Sequence, residues 1–241
     1  MKTLAKYKLT ILLSLTLLGL MLLAFFNRFI QDDAFISFRY AQNLVQQGEL
    51  TWNPSETDRV EGYTNFLWTL LMAVPHLLGI DPVTFSMALG LLCAFGSFIT
   101  FWHLSAYILK DFNYRLLALV LLGTNYTFSA YATGGLETQL QAFLILLGTL
   151  ITLRLTLDGK TASPRSLAAL SILAALALLT RLDSALPFTV LYAAIGLHLL
   201  MLKLPPRKTV GNILMAVLPA ALILGVWFTW KLSYYGDLLP N

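Results

Sequence analysis

Long unbroken apolar runs, not alternation, dominate this chain. Residues 9–26 hold eighteen apolar or hydroxyl residues without a charge. A helix crosses a bilayer core with roughly 20 such residues. Further runs occupy 83–109, 116–133, 138–157, 166–180, 184–202 and 210–230, and each predicts a membrane-spanning helix. The run 66–80 is ambiguous, because its fifteen residues carry Pro75 and His76 in their second half.

The basic residues decide that ambiguity. If 66–80 does not span, there are seven helices and the N-terminus is cytoplasmic. Lys2, Lys6, Lys8, Lys110, Arg115, Arg154, Lys160, Arg165, Lys203, Arg207 and Lys208 then share the inner side, eleven of the sixteen Lys+Arg. If 66–80 spans, every later loop flips and the bias reverses to five inside. Cytoplasmic loops carry the excess of Lys and Arg, so the pattern predicts seven spans. The stretch 66–80 then lies in the interface or re-enters, against the bundle. The acidic residues were not used in this choice, yet ten of the twelve fall on the outer side, all but Asp111 and Asp158. The inner face is a plain basic rim. The outer face mixes charges near helix ends.

Composition agrees. Hydrophobic residues make up 58 % of the 241 and charged ones 12 %, with a mean hydropathy of +0.74. Soluble domains average roughly 25 % charged residues. The chain therefore reads as an all-α polytopic membrane protein, one module over 1–241, in the plasma (inner) membrane. Its net charge of +4 records orientation and gives no reason to expect a nucleic-acid partner. The single cysteine, Cys93, lies in an apolar run, so no internal disulfide can form. The first run is too long for a signal peptide, and Leu22 to Asn27 offers no small-x-small cleavage site. There is no internal repeat.

The outer loop, 28–82 with its interfacial stretch, carries the candidate chemistry. Asp32 and Asp33 are adjacent carboxylates just past the first span. Asp33 is expected to cap a helix over Ala34 to Gln47. There Ile36, Tyr40 and Leu44 recur at helical spacing and Gly48 supplies the stop. A cap needs one carboxylate, not two, so function and capping are evenly matched at this pair. Trp52-Asn53-Pro54-Ser55 reads as a turn. Glu61, Tyr63 and Asn65 follow. Glu137 sits after Gly134-Gly135 at the outer end of a helix pair, where a first-turn cap is its plain role. Arg181 and Asp183 end another span, and a local salt bridge is theirs.

Asp32 to Ala41, Leu50 to Pro54 and Val60 to Trp68 together resemble the first outer loop of GT-C glycosyltransferases. The likeness is greatest to the terminal cell-wall arabinofuranosyltransferase group and its bacterial relatives. It continues through Gly135-Leu136-Glu137-Thr138, Thr180-Arg181-Leu182-Asp183 and Tyr234 to Asn241. The loop motif is specific; Gly-Leu-Glu and Arg-x-Asp alone are weak. The resemblance implies a seven-helix module with interfacial helices in the first outer loop. Family members run on past the Pro-Asn pair into further helices, so this chain is expected to lack their C-terminal part. A polyprenyl-phosphate sugar donor, a glycan, lipid or protein acceptor of the cell envelope, and inversion at the anomeric carbon are likewise implied. In that scheme Asp32 or Asp33 is the catalytic base, with Arg39 and Arg181 as phosphate partners. Glu61, Tyr63, Asn65 and Glu137 contact substrate. A divalent cation is an option, with Asp33 and Glu137 its ligands, though no spacing requires one. Two rivals stand beside this reading. A transporter or flippase for lipid-linked sugars should carry polar residues deep in several helices, where this chain has few: Asn125, Gln139, Gln141 and His198. A non-catalytic assembly subunit would keep the fold but often lose an acidic residue. His103 and His198 read as helix-packing groups.

Overall fold

The computed structural model describes residues 2–54, 59–158, 163–202 and 204–237, with side chains from Tyr7 onward. Ser55, Lys160, Lys203, residues 238–241 and the side chains of Lys2 and Lys6 lie outside that description. Among the described residues the elements are helices, with no strand. They are α1 (Lys2–Phe26), α2 (Ala34–Gln47), α3 (Phe66–Leu71), α4 (Ala73–Leu78), α5 (Pro82–Ile108), α6 (Phe112–Thr124) and α7 (Tyr126–Ala130). After these come α8 (Thr138–Leu157), α9 (Pro164–Thr180), a 3-10 turn at Leu182–Ser184, α10 (Ala185–Met201) and α11 (Pro206–Tyr235). Five helical segments, Tyr7–Phe26, Pro82–Ile108, Thr138–Leu157, Leu182–Met201 and Pro206–Tyr235, are long and apolar enough to cross a membrane.

Two groups of helices meet at the α5–α8 contact. In the first, α1 packs on α5, α6 and α7, burying Leu17, Leu20, Phe98 and Leu119. In the second, α8, α9, α10 and α11 enclose Leu144, Leu167, Leu170, Phe188, Ile195 and Ala216. The amphipathic α2 lies across one end of the bundle. Its apolar face, Ala34, Phe38 and Ala41, covers Trp68, Met72 and Ala73 of α3 and α4.

Several sequence expectations meet their outcome here. The α2 helix starts and stops where its pattern places it, and Gly48 closes it in the left-handed region at φ 73°. The stretch 66–80 is two short helices totalling roughly 20 Å of rise, less than the roughly 30 Å hydrocarbon core. The run 116–133 is not one helix. Asn125 ends α6, and its side-chain oxygen accepts from the Phe128 N–H at 3.0 Å to start α7. Asn125 is thus a break, not a mid-span polar group. Asp33 does not cap α2. The first N–H groups already bond backward: Ala34 donates to the Gln31 carbonyl, Phe35 to Asp32 and Ile36 to Asp33. A turn ahead of the helix satisfies its donors, and the carboxylates stay free of that duty. Asp81 does cap α5, accepting from Thr84 N–H at 2.9 Å, and the Thr84 bonds hold its carboxyl below the usual range.

The long α11 carries Pro219 in its interior. Proline's ring breaks the helical ladder there. The freed Ala220 N–H donates to Ser171 Oγ of α9 at 2.9 Å, and the Ala216 carbonyl accepts from Tyr192 Oη of α10 at 2.8 Å. Neighbouring helices thus re-satisfy the backbone, as an apolar surrounding demands.

Candidate functional site

The site lies at the α2 end of the bundle and is assembled from a glycine turn. Gly135 has φ 79°. A Cβ there would lie 2.3 Å from Ile30 Cδ1 and 2.9 Å from Ala34 Cβ, so both conformation and space require glycine. Trp68 Nε1 donates to the Gly135 carbonyl at 3.0 Å, and Gln31 N–H to the Gly134 carbonyl at 3.0 Å. These bonds pin the start of α8 to the starts of α2 and α3. They carry Glu137 inward, where it is 3 % exposed.

Glu137 is not a helix cap. Its Oε2 accepts from Asn65 Nδ2 at 2.7 Å and its Oε1 from Arg181 Nη1 at 2.9 Å. Asn65 is itself held: its Oδ1 accepts from Ser37 Oγ at 3.2 Å and from Thr69 Oγ1 at 3.0 Å. Arg181 also reaches Asp183 through Nε at 3.2 Å, and Gln141 Nε2 braces Asp183 Oδ1 at 2.6 Å. The local pair expected for Arg181 is therefore present, but so is the longer-range one. Desolvation pulls the guanidinium pKa down. The bond and charge of Glu137, then those of Asp183, outweigh it and leave the net shift upward. Nη2 has no partner among the described residues.

A cavity of about 270 Å³ opens against this assembly. Asp33, Ser37, Tyr63, Asn65, Glu137 and Arg181 all line it. Asp33 is exposed. Of the residues singled out from sequence, the fold thus brings Asp33, Tyr63, Asn65, Glu137 and Arg181 to one hollow. It does not bring the other three there. Asp32 is exposed and its Oδ1 accepts from the Asp33 N–H at 3.0 Å. Arg39 lies 4.4 Å over the Trp52 ring and donates to the Trp52 carbonyl at 3.1 Å, beside a different hollow with His76 and Asp81. Glu61 is buried, its Oε2 2.7 Å from Lys231 Nζ of α11.

Tyr63 lines the hollow and also contacts Tyr235 of α11. Its ring packs edge-on against Tyr40 at 4.9 Å, and its hydroxyl meets that of Tyr235 at 3.1 Å. Burial, then the Tyr235 neighbour, drives its pKa far up. Tyr40 holds the loop shape, donating to the Val60 carbonyl at 2.9 Å and accepting from Gly62 N–H at 2.8 Å. Tyr234 accepts from Leu50 N–H at 2.9 Å, and Tyr235 donates to the Leu50 carbonyl.

Lys231, Ser37 and Gln141 matter to this geometry and were not singled out as site residues. Lys231 carried a signal, being a cation directly after the uncharged run 210–230. Ser37 and Gln141 did not, since small polar residues on helices commonly only pack. For a cation, the donor set is poor. Both Glu137 oxygens are engaged, which leaves Asp33 as the free carboxylate of the hollow. Among the described residues no group of three or more His, Cys, Asp or Glu is placed to hold a metal. No protein-family model, curated protein or solved structure matches this chain.

Proposed function

We propose that this chain is the membrane module of a GT-C-type inverting glycosyltransferase. It moves a sugar from a polyprenyl-phosphate donor to a cell-envelope glycan, lipid or protein acceptor at the outer face. One observation carries the reading: an exposed carboxylate, Asp33, and a half-exposed guanidinium, Arg181, share one hollow, and Arg181 is oriented by a buried Glu137. Sugar transfer needs those two groups. The acceptor hydroxyl attacks the anomeric carbon, and its proton passes to the Asp33 carboxylate. The bond from that carbon to the phosphate oxygen breaks, and the lipid phosphate leaves with the electron pair. Arg181, whose planar fork matches phosphate, stabilises the departing charge. Glu137, itself held by Asn65, keeps Arg181 at the rim, and Asp32 sits one residue from the base.

On this reading the bundle has seven spans: α1, α5, the α6–α7 pair, α8, α9, α10 and α11. The seventeen residues of α9 rise about 26 Å, close to the core thickness. With the basic residues on the inner side, the N-terminus on this reading is cytoplasmic. Cysteines introduced at Lys110 and Arg207, with Cys93 replaced, should resist an impermeant thiol reagent added to intact cells. Labelling of both from outside would reverse the orientation. The functional test is incubation of membranes with radiolabelled polyprenyl-phosphate sugars and identification of the product. Transfer to an envelope acceptor, lost in Asp33→Asn, supports the proposal. Movement of the lipid-linked sugar across vesicles without transfer would make the protein a flippase instead.

A further inference from the structure

The far end of the bundle holds a second built hollow, independent of the site above. The helices α5 and α8 run side by side in the same direction, with Pro82 and Thr138 at the α2 end. Their other ends, Ile108 and Leu157, lie roughly 30–40 Å away. Between those ends is a cavity of about 550 Å³ lined by His103, Tyr107, Lys110, Arg154 and Asp158. Tyr107 donates to the Asp158 carboxylate at 3.2 Å and ties the two helices together. Lys110 Nζ donates to the Ala106 carbonyl at 3.3 Å. Among the described residues neither Lys110 nor Arg154 makes an ion pair within 4 Å, and both line the hollow together with Asp158.

The surroundings set the depth. Trp102 and Arg115 stand beside this end, with the guanidinium 3.9 Å over the indole and donating to the Trp102 carbonyl at 2.7 Å. Tyr114 is exposed nearby in the first turn of α6. Aromatic and basic residues gathered at a helix end mark the membrane–water interface. One cation stands at each C-terminal end, Lys110 at α5 and Arg154 at α8, where it offsets the helix end and Asp158.

We propose that this hollow binds the phosphate headgroup of an anionic phospholipid of the adjoining leaflet, with Lys110 and Arg154 on the phosphate and His103 and Tyr107 as hydrogen-bond partners. Basic pockets between membrane helices at headgroup depth suit that ligand. The acyl chains would extend along the exposed flank of the bundle, where Ile108 and Leu157 face outward.

The test is native mass spectrometry of the purified full chain titrated with phosphatidylglycerol and, separately, phosphatidylcholine. Wild type should retain phosphatidylglycerol preferentially. Lys110→Ala with Arg154→Ala should weaken that retention about thirtyfold, the worth of two near-surface cations. A control pair, Arg207→Ala with Lys208→Ala in the first turn of α11, removes equal charge outside the hollow and should leave retention intact. A third arm uses glycerol phosphate alone. If it protects against thermal unfolding as well as the lipid does, the ligand is a soluble phosphate and the lipid assignment fails. Equal weakening by both variant pairs, or no preference in wild type, also overturns it. Substitution of Asp33 should not move any of these readings, so failure here and failure of the transferase reading are separable.

Discussion

Two ion pairs bind the loop end of the molecule together, and they are built to different ends. Glu61–Lys231 is sealed: the lysine side chain is 1 % exposed and the carboxylate 5 %, with Tyr40, Tyr63 and Tyr235 around it and the Trp227 ring 5.5 Å from the ammonium. Glu137–Arg181 is open on one side: its carboxylate is 4 % exposed and its guanidinium 43 %. The first fastens the loop to α11, and nothing can enter between its partners. The second holds a charge at a rim where a ligand can meet it. A buried pair is poor evidence for stability, since desolvation offsets its attraction, but removing one partner is costly. A half-open pair is more useful for binding, because one side of the cation still faces solvent.

Breaking the sealed pair should have the largest effect. Lys231→Met leaves Glu61 buried without its cation, at a cost of about 3–5 kcal/mol, visible as a lowered thermal midpoint in detergent. Adding Glu61→Gln should recover much of it. If Lys231→Met alone is neutral, the pair is not sealed and the contrast collapses.

The open region should respond in rate instead of stability. Asp33→Asn is expected to lower transfer by about 10²-fold or more, the usual worth of a general base, with the thermal midpoint unchanged. Asp32→Asn, outside the hollow, should lower it far less. Equal losses would show that both carboxylates reach the substrate.

Arg181→Lys sharpens the comparison further. A lysine keeps the charge beside Glu137 but cannot offer a planar fork. Loss of one charge-assisted bond to a phosphate predicts about a tenfold rise in donor KM, with little change in kcat. An unchanged KM would move Arg181 from ligand contact to scaffold. The smallest effect belongs to Asp183→Asn. That side chain is 60 % exposed, and an exposed pair of this kind contributes under about 1 kcal/mol. Purification yield and thermal midpoint should both stay near wild type.

Much of the helical order was legible in the chain, because a bilayer imposes one period and one length. The run 138–157 coincides with α8, and Ala34 to Gln47 with α2. What escaped was where a polar side chain takes over from the backbone. Asn125 looked like one polar residue in a span, yet its oxygen starts a new helix. Asp33 looked like a cap, but a preceding turn had already used the donors it would have met. The site was half legible. Asp33, Glu137 and Arg181 stood out as charges at helix ends, and they share a hollow. Arg39 and Glu61 stood out as charges of the outer loop and go elsewhere, because a cation can stack on Trp52 and a carboxylate can find Lys231. Charge at a helix end announces a partner without naming it. The far hollow was hidden in what read as a plain basic rim. Only the parallel packing of α5 and α8 brings Lys110 and Arg154 together.

The break at Pro219 bears on how the bundle is assembled. Alone in lipid, α11 would expose the Ala220 N–H and the Ala216 carbonyl, each costly to leave bare in hydrocarbon. Ser171 and Tyr192 supply the missing partners from two different helices. Docking of α11 is therefore coupled to α9 and α10 together, because each supplies one of the two partners. The last helix acts as a clasp across that pair. Because its far end carries Lys231 and Tyr235 onto the loop, the loop is drawn into place when the clasp shuts.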